Sequence, residues 1–156
     1  MQAVGMSPLH LLDELCKRWL RGVVADYRLQ TGRGGEGAVQ VHEDMLPPKN
    51  PDAPDVPFVW AYIAEGTDTD DDAQTTIVII VGTYSEEADG WREAKNIAFL
   101  LRHRLLEAGI VGPYRLLKPL RYKAVDQVQE RTYPMHYMQL TAVFQMALVL
   151  PVLEEV

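Results

Sequence analysis

Residues 75–97 read Thr75-Thr76-Ile77-Val78-Ile79-Ile80-Val81-Gly82-Thr83-Tyr84-Ser85-Glu86-Glu87-Ala88-Asp89-Gly90-Trp91-Arg92-Glu93-Ala94-Lys95-Asn96-Ile97. The hydrophobic period changes halfway along this stretch, and the change decides the fold class. The β-branched run from Ile77 to Val81 suits a pleated, packed surface and reads as a central strand. After Asp89-Gly90 the apolar positions Trp91, Ala94, Ile97, Ala98, Leu101, Leu105 and Ala108 recur at three- and four-residue steps, the period of a helix with one buried face. Asp89 is the expected N-cap and Gly109 the expected stop. Gly82 and Gly90 are expected at turns, and Trp91 is expected to anchor the helix to the sheet.

Working outward, residues 58–64 and 75–84 read as a β-hairpin whose tip is the acidic run Asp68-Thr69-Asp70-Asp71-Asp72. Downstream, residues 114–123 and 135–150 read as two more strands. In the last of these Met138, Leu140, Ala142, Phe144, Met146 and Leu148 alternate with Gln139, Thr141 and Gln145, so one face is apolar. Upstream, Ser7-Pro8 is a cap followed by proline at the first helical position. The apolar stripe Leu12, Leu15, Cys16, Trp19, Leu20, Val23, Val24 and Tyr27 predicts a helix over about residues 8–29, ended by Gly32, Gly34, Gly35 and Gly37. Prolines 47, 48, 51, 54 and 57 make residues 46–57 an extended loop. The expected architecture is α/β (α+β), a single domain over residues 1–156. It has a mostly antiparallel sheet of about four strands over residues 58–150 and two main flanking helices. Phe99, Leu100 and Leu106 widen the apolar arc of the second helix, which predicts contact with a further surface, either the first helix or a neighbouring subunit.

With 47% apolar and 24% charged residues over 156 positions, the composition is that of a globular chain. The longest apolar runs are too short to span a bilayer, and Ser7, Pro8, His10 and Asp13 break up any secretory signal pattern, so a reducing compartment is expected. The single Cys16 lies among apolar helix positions and reads as a buried, inert thiol. Charge is unevenly spread: residues 43–89 hold twelve Asp or Glu against Lys49, whereas residues 91–131 hold nine Lys or Arg against four acids. Two readings follow: solvated faces that keep the protein soluble, or complementary surfaces through which copies pack head to tail. On the second, Arg102, Arg104, Arg115 and Arg121 face Asp70 and Asp71 of the next copy.

Chemical motifs are few. Gly32, Gly34 and Gly37 match G-x-G-x-x-G, but the run leaves a helix and enters a strand, the reverse of a phosphate-cradling loop. The acidic tip begins like a calcium loop, yet Ala73 and Ile79 stand where that motif needs its glycine and its bidentate glutamate. The four histidines are scattered, and of His42, Glu43 and Asp44 only His42 and Asp44 share a side of an extended chain. Arg102, Arg104, Arg115, Arg121 and Lys123 could face phosphates, but the net charge of −7 opposes binding to a free duplex. No catalytic residue, cofactor or metal is expected; the enzyme alternative is a small metal-dependent hydrolase built on His42 and Asp44.

The block from Ile79 to Ile97, with Leu46-Pro47-Pro48 and Pro57-Phe58-Val59 upstream and Tyr133-Pro134-Met135-His136-Tyr137 downstream, resembles the tail terminator (tail completion) proteins of long-tailed bacteriophages and prophages. The resemblance covers about the final two-thirds of the chain. It implies an α/β virion subunit that forms a six-fold ring on the end of the tail tube, stops tube growth and offers the neck a docking surface. The implied partners are further copies of the chain, the tail-tube protein and a head-completion or neck protein, with no membrane and no direct nucleic-acid contact. The implied location is the virion tail or neck, after assembly in the host cytoplasm. A head-to-tail connector or neck subunit of the same particle is the alternative. The shared block reads as fold-forming, so no partner-binding residue carries over.

Overall fold

The computed structural model describes residues 7–32, 34–45, 56–125 and 133–153. It is a mixed α+β fold in which two helices cover one face of a six-stranded sheet. The first helix, α1, opens with Ser7 as N-cap, its Oγ accepting from the His10 N–H at 3.3 Å, and with Pro8 just inside. It runs as an α-turn, Pro8–Asp13, a π-helical stretch, Glu14–Leu20, and a last α-turn, Arg21–Val24. The wider winding has a sequence reason. Leu12, Cys16, Leu20 and Val24 are spaced by four, a step that drifts about 40° in a regular helix. Bonds such as Arg21 N–H to the Cys16 carbonyl hold all four toward the core.

The predicted end of α1 at residue 29 is corrected to Val24. Residues Arg28–Gln30 form β1, which pairs antiparallel with β2, Glu36–Ala38. Gly34 and Gly35, at φ +90 and +75, turn the chain back, and Thr31 closes the loop through its N–H to the Gly35 carbonyl at 2.9 Å. The glycine run is therefore the end of a hairpin, and the pairing it permits outweighs the helical period of Tyr27.

The main sheet has the order β3-β4-β5-β8-β7-β6. Its strands are β3 (Gln40–Glu43), β4 (Phe58–Asp68), β5 (Ala73–Tyr84), β6 (Ile110–Val111), β7 (Tyr114–Val125) and β8 (Met135–Gln145). Only β3 with β4 is parallel. Six strands replace the expected four because the short edge strands β3 and β6 carry little periodic signal of their own. β8 ends at Gln145, short of the predicted residue 150: its neighbours begin at Ala73 and Tyr114, so beyond Met146 N–H to the Ala73 carbonyl no strand among the described residues lies alongside to pair with. The predicted proline-rich loop, residues 46–57, lies outside the described residues except for Val56 and Pro57.

The second helix, α2 (Trp91–Ala108), packs mainly on β8 and β5. Gly109 ends it at φ +71, bonding back to the Leu105 carbonyl. The N-cap is Gly90, with no side-chain cap; the Asp89 carbonyl, not its carboxylate, receives the Arg92 N–H. The core lies between the helices and the inner sheet face: Leu11, Leu15 and Leu20 from α1, Ile97, Leu101 and Leu105 from α2, and Ile77, Ile79, Leu140 and Phe144 from the sheet. Each such side chain contributes roughly 1.5–3 kcal/mol by leaving water.

Candidate assembly surfaces

The β4–β5 hairpin carries the acidic tip clear of the sheet. Its strands run to Asp68 and resume at Ala73, so the turn is Thr69 to Asp72. Thr69 organises it: its N–H reaches the Asp72 carbonyl at 2.7 Å, and its Oγ1 accepts from the Asp72 N–H at 2.9 Å. Gln74 Nε2 donates to Asp72 Oδ2 at 2.6 Å, while Asp70 and Asp71 point into solvent. Among the described residues no three His, Cys, Asp or Glu side chains are grouped to hold a metal ion.

The cationic residues fall on several surfaces. Along β7, Arg115, Arg121 and Lys123 lie opposite Gln145, Thr141 and Gln139, on the sheet face turned away from the helices. That face also carries Trp60 and Tyr62 of β4, with ring centroids 4.6 Å apart. Arg102 is on α2, its guanidinium 5.7 Å from the Tyr122 ring, and Tyr122 meets Phe99 edge to face at 5.3 Å. Arg104 is exposed and lies about 200° around α2 from Arg102, so the two do not act as a pair. On its β6 side β7 is engaged as far as Leu116, whose N–H reaches the Gly109 carbonyl at 2.9 Å; beyond that it has no strand partner on this side among the described residues, which leaves an open edge. Ion pairs among the described residues run within helices, as in Lys17–Asp13, Arg18–Glu14 and His103–Glu107, and none joins the acidic tip to β7.

Three pieces of the resemblance, residues 57–59, 79–97 and 133–137, meet at one end of the sheet; Leu46-Pro47-Pro48 lies outside the described residues. Gly82 sits inside β5, not at a turn: a Cβ there would lie 2.7 Å from the Phe58 ring and 3.0 Å from Tyr137. Gly90 stands against Ser85, where a side chain would collide. Ser85 N–H donates to the Pro134 carbonyl at 2.9 Å, Tyr133 Oη to the Glu86 carbonyl at 2.6 Å, and His136 Nε2 lies 3.1 Å from the Ser85 carbonyl. Residues 57–59, 79–97 and 133–137 thus build one joint between β5 and α2. Trp91 departs from expectation. At 36% exposed it anchors nothing deeply; Arg92 and Lys95 lie over its ring at 4.7 and 4.8 Å.

Two further clusters are charged. Glu43 on β3 faces α1, where burial, then a hydrogen bond with Asp13, pushes its carboxyl up to about 7; the same hydrogen bond lowers Asp13. Lys17 and Arg21 stand nearby and favour the ionised form. Glu93 of α2 is raised by burial, and its Oε2 is enclosed without a hydrogen-bond partner among the described residues. Burial pushes the Cys16 thiol up to about 12, which leaves it unreactive. His10 Nδ1 lies 2.7 Å from Tyr114 Oη and ties α1 to β7.

No protein-family model and no curated protein matches the chain. Among solved structures it is similar to a chain of "Virion of native gene transfer agent (GTA) particle", with a TM-score of 0.40 and 13% identity over 87% of this chain and 90% of that one.

Sequence reading missed two features. The exposed Phe99–Tyr122 pair joins residues 23 positions apart and depends on α2 lying beside β7, which no local period records. The apolar segment after Gln145 reads as strand because its hydrophobicity continues that of β8; the missing signal is the length of the neighbouring strands.

Proposed function

We propose that the chain is a structural subunit of a phage-type virion that assembles head to tail into a ring on the end of the tail tube, halts tube growth and presents a docking surface to the neck. The observation that carries this reading is the separation of surface charge: an acidic turn projects from the β4–β5 hairpin, while Arg121 and Lys123 occupy another part of the sheet and are not paired with it. Two unlike surfaces on one subunit make heterologous contacts, and such contacts close into rings when the rotation permits. The resemblance in residues 79–97 supplies the tail-end assignment, and the joint that those residues build with 57–59 and 133–137 explains why they would travel together in such a family. The role requires no catalytic step and no cofactor.

The test is a tube-assembly reaction. Tail-tube subunits polymerised with this protein should give capped tubes of bounded length, each end bearing a ring under negative stain. Tubes that grow to the same unbounded length with or without the protein would reject the terminator role.

A further inference from the structure

We infer that the apolar segment following β8 is an assembly arm that lies along the free edge of β7 on a second copy of the chain. This rests on the self-assembly reading above and names the surface it uses. Ala147-Leu148-Val149-Leu150-Pro151-Val152-Leu153 leaves the sheet without regular structure, and Val149, Leu150, Val152 and Leu153 are 90, 71, 88 and 89% exposed. A contiguous apolar stretch held in water marks a contact made elsewhere.

The arm cannot simply fold onto its own β7. β8 runs antiparallel to β7, and Gln145 lies opposite Arg115 at the start of that strand. An extension of β8 therefore points away from Tyr122, which lies opposite Leu140, five β8 residues or roughly 17 Å back from Gln145. On another copy the edge fits. From Arg121, past the irregular stretch at Pro119, β7 runs as an edge strand with no neighbour on that side among the described residues, and beside it Phe99 and Tyr122 are 41 and 50% exposed. Charge agrees: the sequence continues Glu154-Glu155, whereas the receiving edge carries Arg102 against Tyr122. Pro151, which has no N–H, fixes the register. Its side of the arm must face outward, so Leu148, Leu150 and Val152 direct their main-chain groups to β7.

The test uses two single variants of the whole chain, Leu150→Cys and Tyr122→Cys; the native Cys16 is buried. Mixed and mildly oxidised, they should give a disulfide-linked dimer that neither forms alone, and Val152→Asp should raise the concentration needed for assembly by about tenfold or more. Native mass spectrometry of the parent is recorded in parallel. Oligomers that form with no cross-link in the mixture would overturn the seat of the arm while leaving the ring reading intact. Cross-linked pairs without closed rings would support the arm and count against the ring. An intrachain disulfide in a monomeric double variant would overturn the inference, and a parent that stays monomeric with no cross-link in the mixture would overturn both.

Discussion

Trp91 keeps about a third of its surface in water, with two cations stacked on its ring, whereas Leu101, on the same helix, is wholly buried. Trp91→Ala should therefore cost only about 1–2 kcal/mol in chemical denaturation, against about 2–5 for Leu101→Ala. Equal costs would return Trp91 to the role of anchor. Gly82→Ala should destabilise by about 1–3 kcal/mol, because the new methyl group must displace the Phe58 ring and Tyr137 from a packed strand interior. The Asp13–Glu43 pair gives stability a pH dependence of definite sign. A carboxyl raised to about 7 in the folded protein binds its proton more tightly than in the unfolded chain. Its contribution is full below the ordinary glutamate range and is lost as pH rises through 7. Glu43→Gln should flatten that decline, so that variant and parent differ most in urea titrations at pH 8 and least at pH 4. A parent whose stability rises from pH 5 to 8 by the amount that the variant's does would remove the shared proton.

At the scale of elements, the β4–β5 turn is closed by Thr69, and its carboxylates are solvated at Asp70 and Asp71 and held only by Gln74 at Asp72, so its length is a small matter for the fold. Replacing Thr69 to Asp72 with Asn-Gly should change stability by less than about 1 kcal/mol. Calcium-dependent stabilisation of the parent, absent from the variant, would overturn that and make the tip a cation site. Legibility in the sequence varied with the kind of signal. The caps at Ser7 and Gly109 and the buried face of α2 were readable because they follow from bonds and periods within a few residues. The end of α1 was not, since Tyr27 keeps the helical period while Arg28 to Gln30 pair across a hairpin with residues up to ten positions away. Period records what a segment could bury; pairing partners decide what it does.

For the whole molecule, Arg121 and Lys123 share one face of β7, and in the head-to-tail arrangement proposed above they would answer the acidic tip. Charge reversal of both, Arg121→Glu with Lys123→Glu, should lower ring formation in native mass spectrometry while circular dichroism stays native. Raising ionic strength should weaken the parent rings only modestly, because exposed pairs contribute about 0.2–1 kcal/mol each and the apolar arm contact is not screened. Rings unchanged in both experiments would leave the apolar surfaces as the whole of the interface. The sequence by itself determined the fold class, the strand-to-helix unit at residues 75–97, the buried thiol and the segregation of acids from bases, since each depends on residue type and local spacing. Only the tertiary structure decided that Gly82 lies beneath two rings, that Trp91 faces water, that Arg102 and Arg104 part company, and that the apolar run after Gln145 leaves the sheet. Those outcomes depend on which distant strand or helix lies alongside, and on where that neighbour ends.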